Sequence, residues 1–308
     1  MKDLGSLHYF VGVEVQSNSQ GLFLSQTKYS LDLLQRADMV EAKPITTPFV
    51  VGHHLSTEDK LFSDPTLFRS LVGALQYLTI TRPDLSFSVN SICQYMHALT
   101  EDHFCALKRI LHYVKGTVHH GLQLHRTSSC ELLAYSNADW AGCPDTRRST
   151  TGYVIFLGAN LVSWCSKKQS TVSHSSAEAE YRYLAVATAE VTWIVQLLRD
   201  LRLQMPSSSK ILCNNKSAIF MEVNPVTRPR FKHIAIDYHF IHELIANSSL
   251  KVAFVPSHLQ LADSFTKGVT KPQFLLFCNK LYVISFTMFS LKGGDKEESC
   301  SDSFLNLR

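Results

Sequence analysis

A strand that turns polar towards its end constrains this chain more than any other stretch. Leu133, Tyr135, Asn137 and Asp139 fall on one face at a period of two, and Ala134, Ser136 and Ala138 fall on the other. Gly152 to Leu157 and Leu161 to Cys165 read as the next two strands, separated by the turn Gly158-Ala159-Asn160. A long helix follows, opened by Ser175-Ser176-Ala177-Glu178-Ala179-Glu180-Tyr181 and running to about Leu201. Glu180, Leu184, Ala187, Val191, Ile194 and Leu198 recur at spacings of three or four, so Glu180 lies on the stripe that must be buried, whereas Glu178 points elsewhere. Three strands and a helix that aim acids and amides at one edge form the arrangement a metal-dependent nuclease needs.

Further along, Lys210 to Cys213 is a short apolar run without alternation, as a central parallel strand covered on both faces requires. Asn214 stands at its carboxyl end, where α/β sheets place ligand-binding groups. A short helix from Lys216 to Glu222, a helix from about Lys232 to Ala246 and a strand from Lys251 to Val255 come next. Ser257-His258-Leu259-Gln260 has capping-box spacing, which predicts a helix carrying Asp263.

Upstream, Leu7 to Val15 and Gly21 to Leu24 read as a hairpin across Ser17-Asn18-Ser19-Gln20. Four amphipathic helices are expected after it. Ser25 caps the first, Pro65 precedes the second, Asp84 caps the third, and the fourth runs from Glu101 to Gly116. Lys108, Arg109, His112 and Lys115 give the fourth a positive face, read as solvated rather than as a track for phosphates. The 308 residues, 45% of them hydrophobic, suffice for one or two cored domains, and a formal charge of +4 permits nucleic-acid binding without proving it.

Eight cysteines without a C-x-x-C pair argue against a zinc ribbon or a disulfide framework. Cys93, Cys165 and Cys213 read as core thiols of a reducing compartment. No apolar run approaches the roughly 20 residues of a membrane span, and the N-terminus lacks a signal series. A soluble intracellular protein without a membrane partner is therefore expected, with the last ~15 residues disordered.

The segment YSNADWAGCPDTRRSTTGYVIFLGANLVSWCSKKQSTVSHSSAEAEY, with CNNKSA, KHIAIDYHF and VPSHLQLADSFTK after it, resembles the ribonuclease H domain that ends the Pol polyprotein of Ty1/copia retrotransposons. MKDLGSLHYFVGVEV, YLTITRPDLSFSVN and LKRILHYVKGT resemble the last part of the copia reverse transcriptase and its connection to that nuclease. The resemblance implies an α/β fold with a ribonuclease H-like mixed sheet flanked by helices, preceded by a β-hairpin and a small helical region derived from reverse transcriptase. It divides the chain into a reverse-transcriptase remnant at 1–49, a helical connection at 50–126, the nuclease-like domain at 127–271 and a C-terminal helix with tail at 272–308. The paired aspartates of polymerisation are absent, so DNA synthesis is not expected.

The resemblance also implies chemistry. In the family, four acids hold two Mg2+ or Mn2+ ions about 4 Å apart for cleavage of RNA in RNA/DNA hybrids. Position by position they fall on Asn137, Glu180, Asn214 and Asp263, so two are amides here. An amide is neutral and a weaker ligand for a hard cation, and loss of the metal pair and of catalysis is the expectation. Asp139 shares the face of Asn137 but stands about 7 Å further along, far beyond the roughly 0.5 Å tolerance of a catalytic constellation.

The implied partners are an RNA/DNA hybrid or another nucleic acid, and the remainder of the polyprotein. Arg147 with Arg148, Lys167 with Lys168, and Arg228, Arg230 and Lys232 are candidate contacts to phosphates and 2′-hydroxyls, with ordinary exposed charge as the equal reading. His233 and Asp237 read as a structural hydrogen-bonded pair, and His258 as too close to Asp263 for a proton carrier. The rival expectations are a weakly active ribonuclease H using Asp139, Glu180 and Asp263, and a domain that holds hybrids without cutting them.

Overall fold

The computed structural model describes residues 8–53, 55, 59–126, 129–203, 208–223 and 234–286. The chain opens with β1 (Tyr9–Phe10), β2 (Val13–Asn18) and β3 (Gly21–Ser25). The β2–β3 turn is closed by the side-chain oxygen of Asn18, which accepts the N–H groups of Gln20 (3.0 Å) and Gly21 (2.9 Å). Helices α1 (Thr27–Arg36), α2 (Pro65–Leu78), α3 (Ser86–Cys93) and α4 (Glu101–Gly116) follow, then β4 (His120–His125). The second half holds β5 (Leu132–Asp139), β6 (Thr150–Leu157), β7 (Asn160–Lys168), α5 (Ser176–Asp200), β8 (Ser209–Cys213), α6 (Lys216–Val223), α7 (Ala235–Ala246) and β9 (Leu250–Phe254). It closes with α8 (Lys271–Lys280) and β10 (Val283–Ser285).

Two sheets result. In the second, ordered β7-β6-β5-β8-β9, the pairs β7–β6 and β6–β5 are antiparallel, while β5–β8 and β8–β9 are parallel. This is the ribonuclease H-like mixed sheet, and β8 is the central parallel strand that its unalternating sequence predicts. The first sheet, ordered β1-β2-β3-β4-β10, was only half visible as a hairpin. Leu22 pairs with Leu124 and Val283 with Leu122, so the chain leaves this sheet for the four helices, returns to it, and returns again near its end.

The mixed sheet is buried on both faces. Ala134, Tyr153, Ile155 and Ile211 pack against Tyr181, Leu184, Ala187 and Val191 of α5 and Tyr238 and Ile241 of α7. Tyr135, Val154, Phe156 and Leu212 point the other way, into a core shared with Phe265 and with the apolar stripes of α2, α3, α4 and α8. That core runs through the 126/127 boundary: the helical region is the second cover of the sheet.

Four local expectations need correction. Ser25 ends β3 rather than capping α1, because Glu14 on the neighbouring strand receives its hydroxyl (3.4 Å). Asp84 does not cap α3. It lies in the buried 3₁₀ turn Pro83–Leu85 as the ion partner of Arg82. The helix expected from Ser257 is instead two 3₁₀ turns, Ser257–Leu259 and Leu261–Phe265, and the second is capped by Gln260, whose side-chain oxygen accepts the Ala262 N–H (3.2 Å). Glu178 is buried rather than outward, ion-paired to Arg182 at 2.7 Å and accepting the His174 N–H at 3.0 Å. Among the described residues no helix is long and apolar enough to cross a membrane. The expected disorder of the last residues lies outside the described residues.

Candidate active site

The carboxyl end of β5, the first turns of α5 and the turn Leu261–Phe265 converge on one buried pocket. Asn137, Glu180 and Asp263 are each 5% exposed or less. The Asn137 amide nitrogen Nδ2 donates to Asp263 Oδ1 (2.7 Å) and to Thr266 Oγ1 (2.8 Å). The other Asp263 oxygen, Oδ2, lies 3.1 Å from Lys267 Nζ. Cys213, at the end of β8, brings its Sγ to 3.9 Å from Glu180 Oε2.

Burial pushes the Glu180 carboxyl up to about 8, and the charge of Asp263 adds to the rise. The Ala138 N–H, the Lys267 ammonium and the Cys213 thiol pull the other way. Glu180 is therefore protonated at neutral pH. Burial also raises Asp263, against the lowering effect of Lys267.

The turn that carries Asp263 lies flat on the sheet because the sequence leaves room for it. Asn137, Gly152 and Ser166 form one row across β5, β6 and β7. A β-carbon at Gly152 would overlap the β-carbon of Phe265 and approach the Ala262 carbonyl oxygen to 3.3 Å. Ser166 Oγ donates to the Phe265 carbonyl (2.7 Å), and Gln260 Nε2 donates to the Ser136 carbonyl (3.0 Å). Gly152→Ala should therefore cost about 1–3 kcal/mol, the usual range for overpacking. Urea unfolding checks this, and an unchanged midpoint would mean that the turn can lift away freely.

Asn214 is half-buried just past the end of β8. Its neighbour Asn215 does the capping, accepting the N–H groups of Ser217 (3.0 Å) and Ala218 (3.1 Å) at the start of α6. The Asp139 carboxylate is directed at the loop after β5, where a β-carbon on Gly142 would overlap it. It borders a cleft of about 310 Å³ lined also by Phe49, Tyr95, Cys143, Thr266 and Lys267. His258 is exposed, and Asp237 is half-buried with its carboxyl raised by burial against the pull of Arg182. His233 lies outside the described residues.

Arg147 and Arg148 are exposed in the loop before β6, and Lys167 is exposed on β7. Asp139 pairs with Thr150, which pairs with Lys168, so both basic pairs gather at the sheet end that carries Asp139. Lys168 Nζ stands 2.9 Å from Cys143 Sγ. Burial alone would raise that thiol, but hydrogen bonds from Lys168 and Thr146 bring it below its ordinary value. Arg228, Arg230 and Lys232 lie outside the described residues.

Thr266 and Lys267 belong to the pocket although sequence reasoning did not single them out. The signal for Lys267 was its place four residues after Asp263, the spacing at which opposite charges meet.

Two hard divalent ions require several anionic oxygens pointing at one place. This pocket offers one protonated carboxyl, one carboxylate with both oxygens already engaged, and an amide that turns its N–H groups inward. Among the described residues no group of three or more His, Cys, Asp or Glu side chains is arranged to hold a metal ion. The residues present do not fit the metal pair.

No family model matches the chain. The retrovirus-related Pol polyprotein from transposon RE2 of Arabidopsis thaliana is 46% identical over 285 residues, 92% of this chain and 20% of that protein. An uncharacterized mitochondrial protein of Arabidopsis thaliana, AtMg00810, is 53% identical over 193 residues, 63% of this chain and 80% of that protein. The crystal structure of LC11-RNase H1 in complex with RNA/DNA hybrid matches 44% of this chain and 94% of its own at 16% identity and a TM-score of 0.34. The fold assignment rests on the strand order, not on that score. The chain spans about a fifth of the length of the Pol polyproteins it matches. With 46% identity across 92% of its residues, the chain belongs to the retrovirus-related Pol polyproteins of copia-type transposons, as a segment with a ribonuclease H-like fold.

Proposed function

We propose that the ribonuclease H-like part of this Pol segment descends from an endonuclease acting on RNA in RNA/DNA hybrids and no longer cleaves them. The observation that carries this reading is the direction of the Asn137 amide. Its N–H groups face Asp263 and Thr266, where a metal-binding acid would present oxygen. Asn214 in place of a second acid removes a further negative charge, and Glu180 and Asp263 are the two acids left at the four positions. In a family member with all four acids, Mg2+ or Mn2+ would activate water and stabilise the leaving oxygen. Here the Asp263 carboxylate instead takes the Asn137 N–H and the Lys267 ammonium, contacts that fasten the 261–265 turn to the sheet. Asp139 is not part of this reading, because its carboxylate lies against Gly142 in the loop after β5.

The test is a labelled RNA/DNA hybrid incubated with Mg2+ or Mn2+. The unaltered chain should leave it intact, and Asn137→Asp/Asn214→Asp is expected to gain cleavage. Cutting by the unaltered chain would refute the reading. Inactivity of the double variant would remove the support for these two positions.

A second reading, hybrid binding without cutting, is favoured by one observation: Arg147, Arg148 and Lys167 are exposed at the sheet end that carries Asp139. Phosphate contacts of this kind weaken steeply with salt. Retention of the hybrid in a gel shift should fall as salt rises, and Arg147→Glu/Arg148→Glu should weaken it further. No retention at low salt would dismiss this role. The remainder of a longer Pol polyprotein is the other proposed partner.

A further inference from the structure

The pocket that does not suit divalent ions already contains a cation. Asp263 Oδ2 meets the Lys267 ammonium at 3.1 Å while Oδ1 takes the Asn137 N–H at 2.7 Å, so both oxygens of the carboxylate are occupied. The backbone that carries the lysine is held by the same turn. Its backbone N–H donates to the Asp263 carbonyl (3.2 Å), as does that of Thr266 (3.1 Å), and these bonds set Lys267 one turn beyond the acid. The Asp263 side chain is 4% exposed and that of Lys267 47%, so the ammonium reaches in from the surface and covers the acid.

We propose that Lys267 is the resident counter-ion of this centre, and that its ammonium, together with the Asn137 amide, keeps divalent cations off Asp263. A dication approaching Asp263 would have to displace a like charge and turn the amide round. Restoring the missing acids would then be necessary for metal binding but not sufficient for tight binding. This deepens the proposed loss of cleavage and rests on Asn137 and Asn214 as former ligand positions.

The full chain is titrated with Mn2+, followed by the electron paramagnetic resonance signal of the free ion, in four forms: unaltered, Lys267→Gln, Asn137→Asp/Asn214→Asp, and the triple variant combining all three changes. Circular dichroism checks that each is folded. The unaltered chain should take up no Mn2+, the double variant should bind weakly, and the triple variant should bind at least about tenfold more tightly, one decade per 1.4 kcal/mol. Equal affinity in double and triple variants would overturn the proposal.

Should neither bind, the assignment of Asn137 and Asn214 fails, and the counter-ion role is decided without metal. Lys267→Gln should then lower the melting temperature by about 1–3 °C when Asp263 is present, as suits a half-exposed ion pair. It should have no such effect in Asp263→Asn. The same shift in both backgrounds would overturn the proposal independently of any ion.

Discussion

Asp84→Asn is expected to destabilise the chain by about 3–5 kcal/mol, the cost of leaving a buried cation without its partner. Arg82 is 1% exposed, and its guanidinium donates to both carboxylate oxygens of Asp84, from Nε to Oδ1 at 3.0 Å and from Nη2 to Oδ2 at 2.7 Å. Two further donors go to the end of α4: Nη1 to the Thr117 carbonyl at 2.9 Å and Nη2 to the Thr117 hydroxyl at 2.8 Å. Tyr113 Oη donates to Asp84 Oδ2 at 2.7 Å. The network joins the turn before α3 to α4, inside the core that backs the mixed sheet.

Burial alone would raise the Asp84 carboxyl, but the Arg82 charge and the hydrogen bonds from Arg82 and Tyr113 hold it below its ordinary value. An acid depressed in the folded state contributes stability above its unfolded value, near 3.8, and loses that contribution as pH falls through the folded value. Urea unfolding at pH 7 measures the loss. Replacing both partners by apolar residues, Arg82→Met/Asp84→Leu, should cost less than Asp84→Asn alone, because no unpaired charge remains. A loss under about 1 kcal/mol for the single variant would instead place the pair among hydrated surface bridges.

That network also shows what a linear pattern conceals. Asp84 follows Arg-Pro and precedes an apolar-periodic run, the local signature of a cap, and nothing nearby in sequence announces that Thr117 and Tyr113 will enclose the arginine. The same limit applies to the first sheet. β10 has three residues, and its pairing of Val283 with Leu122 spans the whole second half of the chain, beyond the reach of any periodicity. What was legible was the scaffold of the site: the polar end of β5, the buried Glu180 stripe of α5 and the unalternating β8 all lie where their patterns place them. Glu178 was misjudged because the helix stripe describes only one neighbour. Off that stripe, the His174 N–H and the Arg182 guanidinium both meet the Glu178 carboxylate. The Gln260 side chain that caps the turn also reaches Ser136, a contact between residues 124 apart in sequence.

Glu180→Gln should remove a pH dependence from the folding stability of the protein. In the folded chain burial brings the Glu180 carboxyl to about 8, whereas its ordinary value is 4.5. Between those two values the folded state holds a proton that the unfolded chain releases, so stability falls as pH rises through this window and levels off above it. The displacement is worth on the order of 3–5 kcal/mol. Glutamine reproduces the shape and hydrogen bonding of the protonated acid without a proton to lose. Parent and variant should therefore be nearly equally stable near pH 5, and the variant should be the more stable near pH 9 by that amount. Other groups titrate across the same range, but the difference between the two curves of urea midpoint against pH isolates Glu180. Parallel curves would mean that Glu180 is ionised in the folded protein. The pocket would then hold two carboxylates rather than one beside the Lys267 ammonium, and the case against a metal pair would rest on the inward-facing amide of Asn137, on Asn214 in place of an acid and on that ammonium.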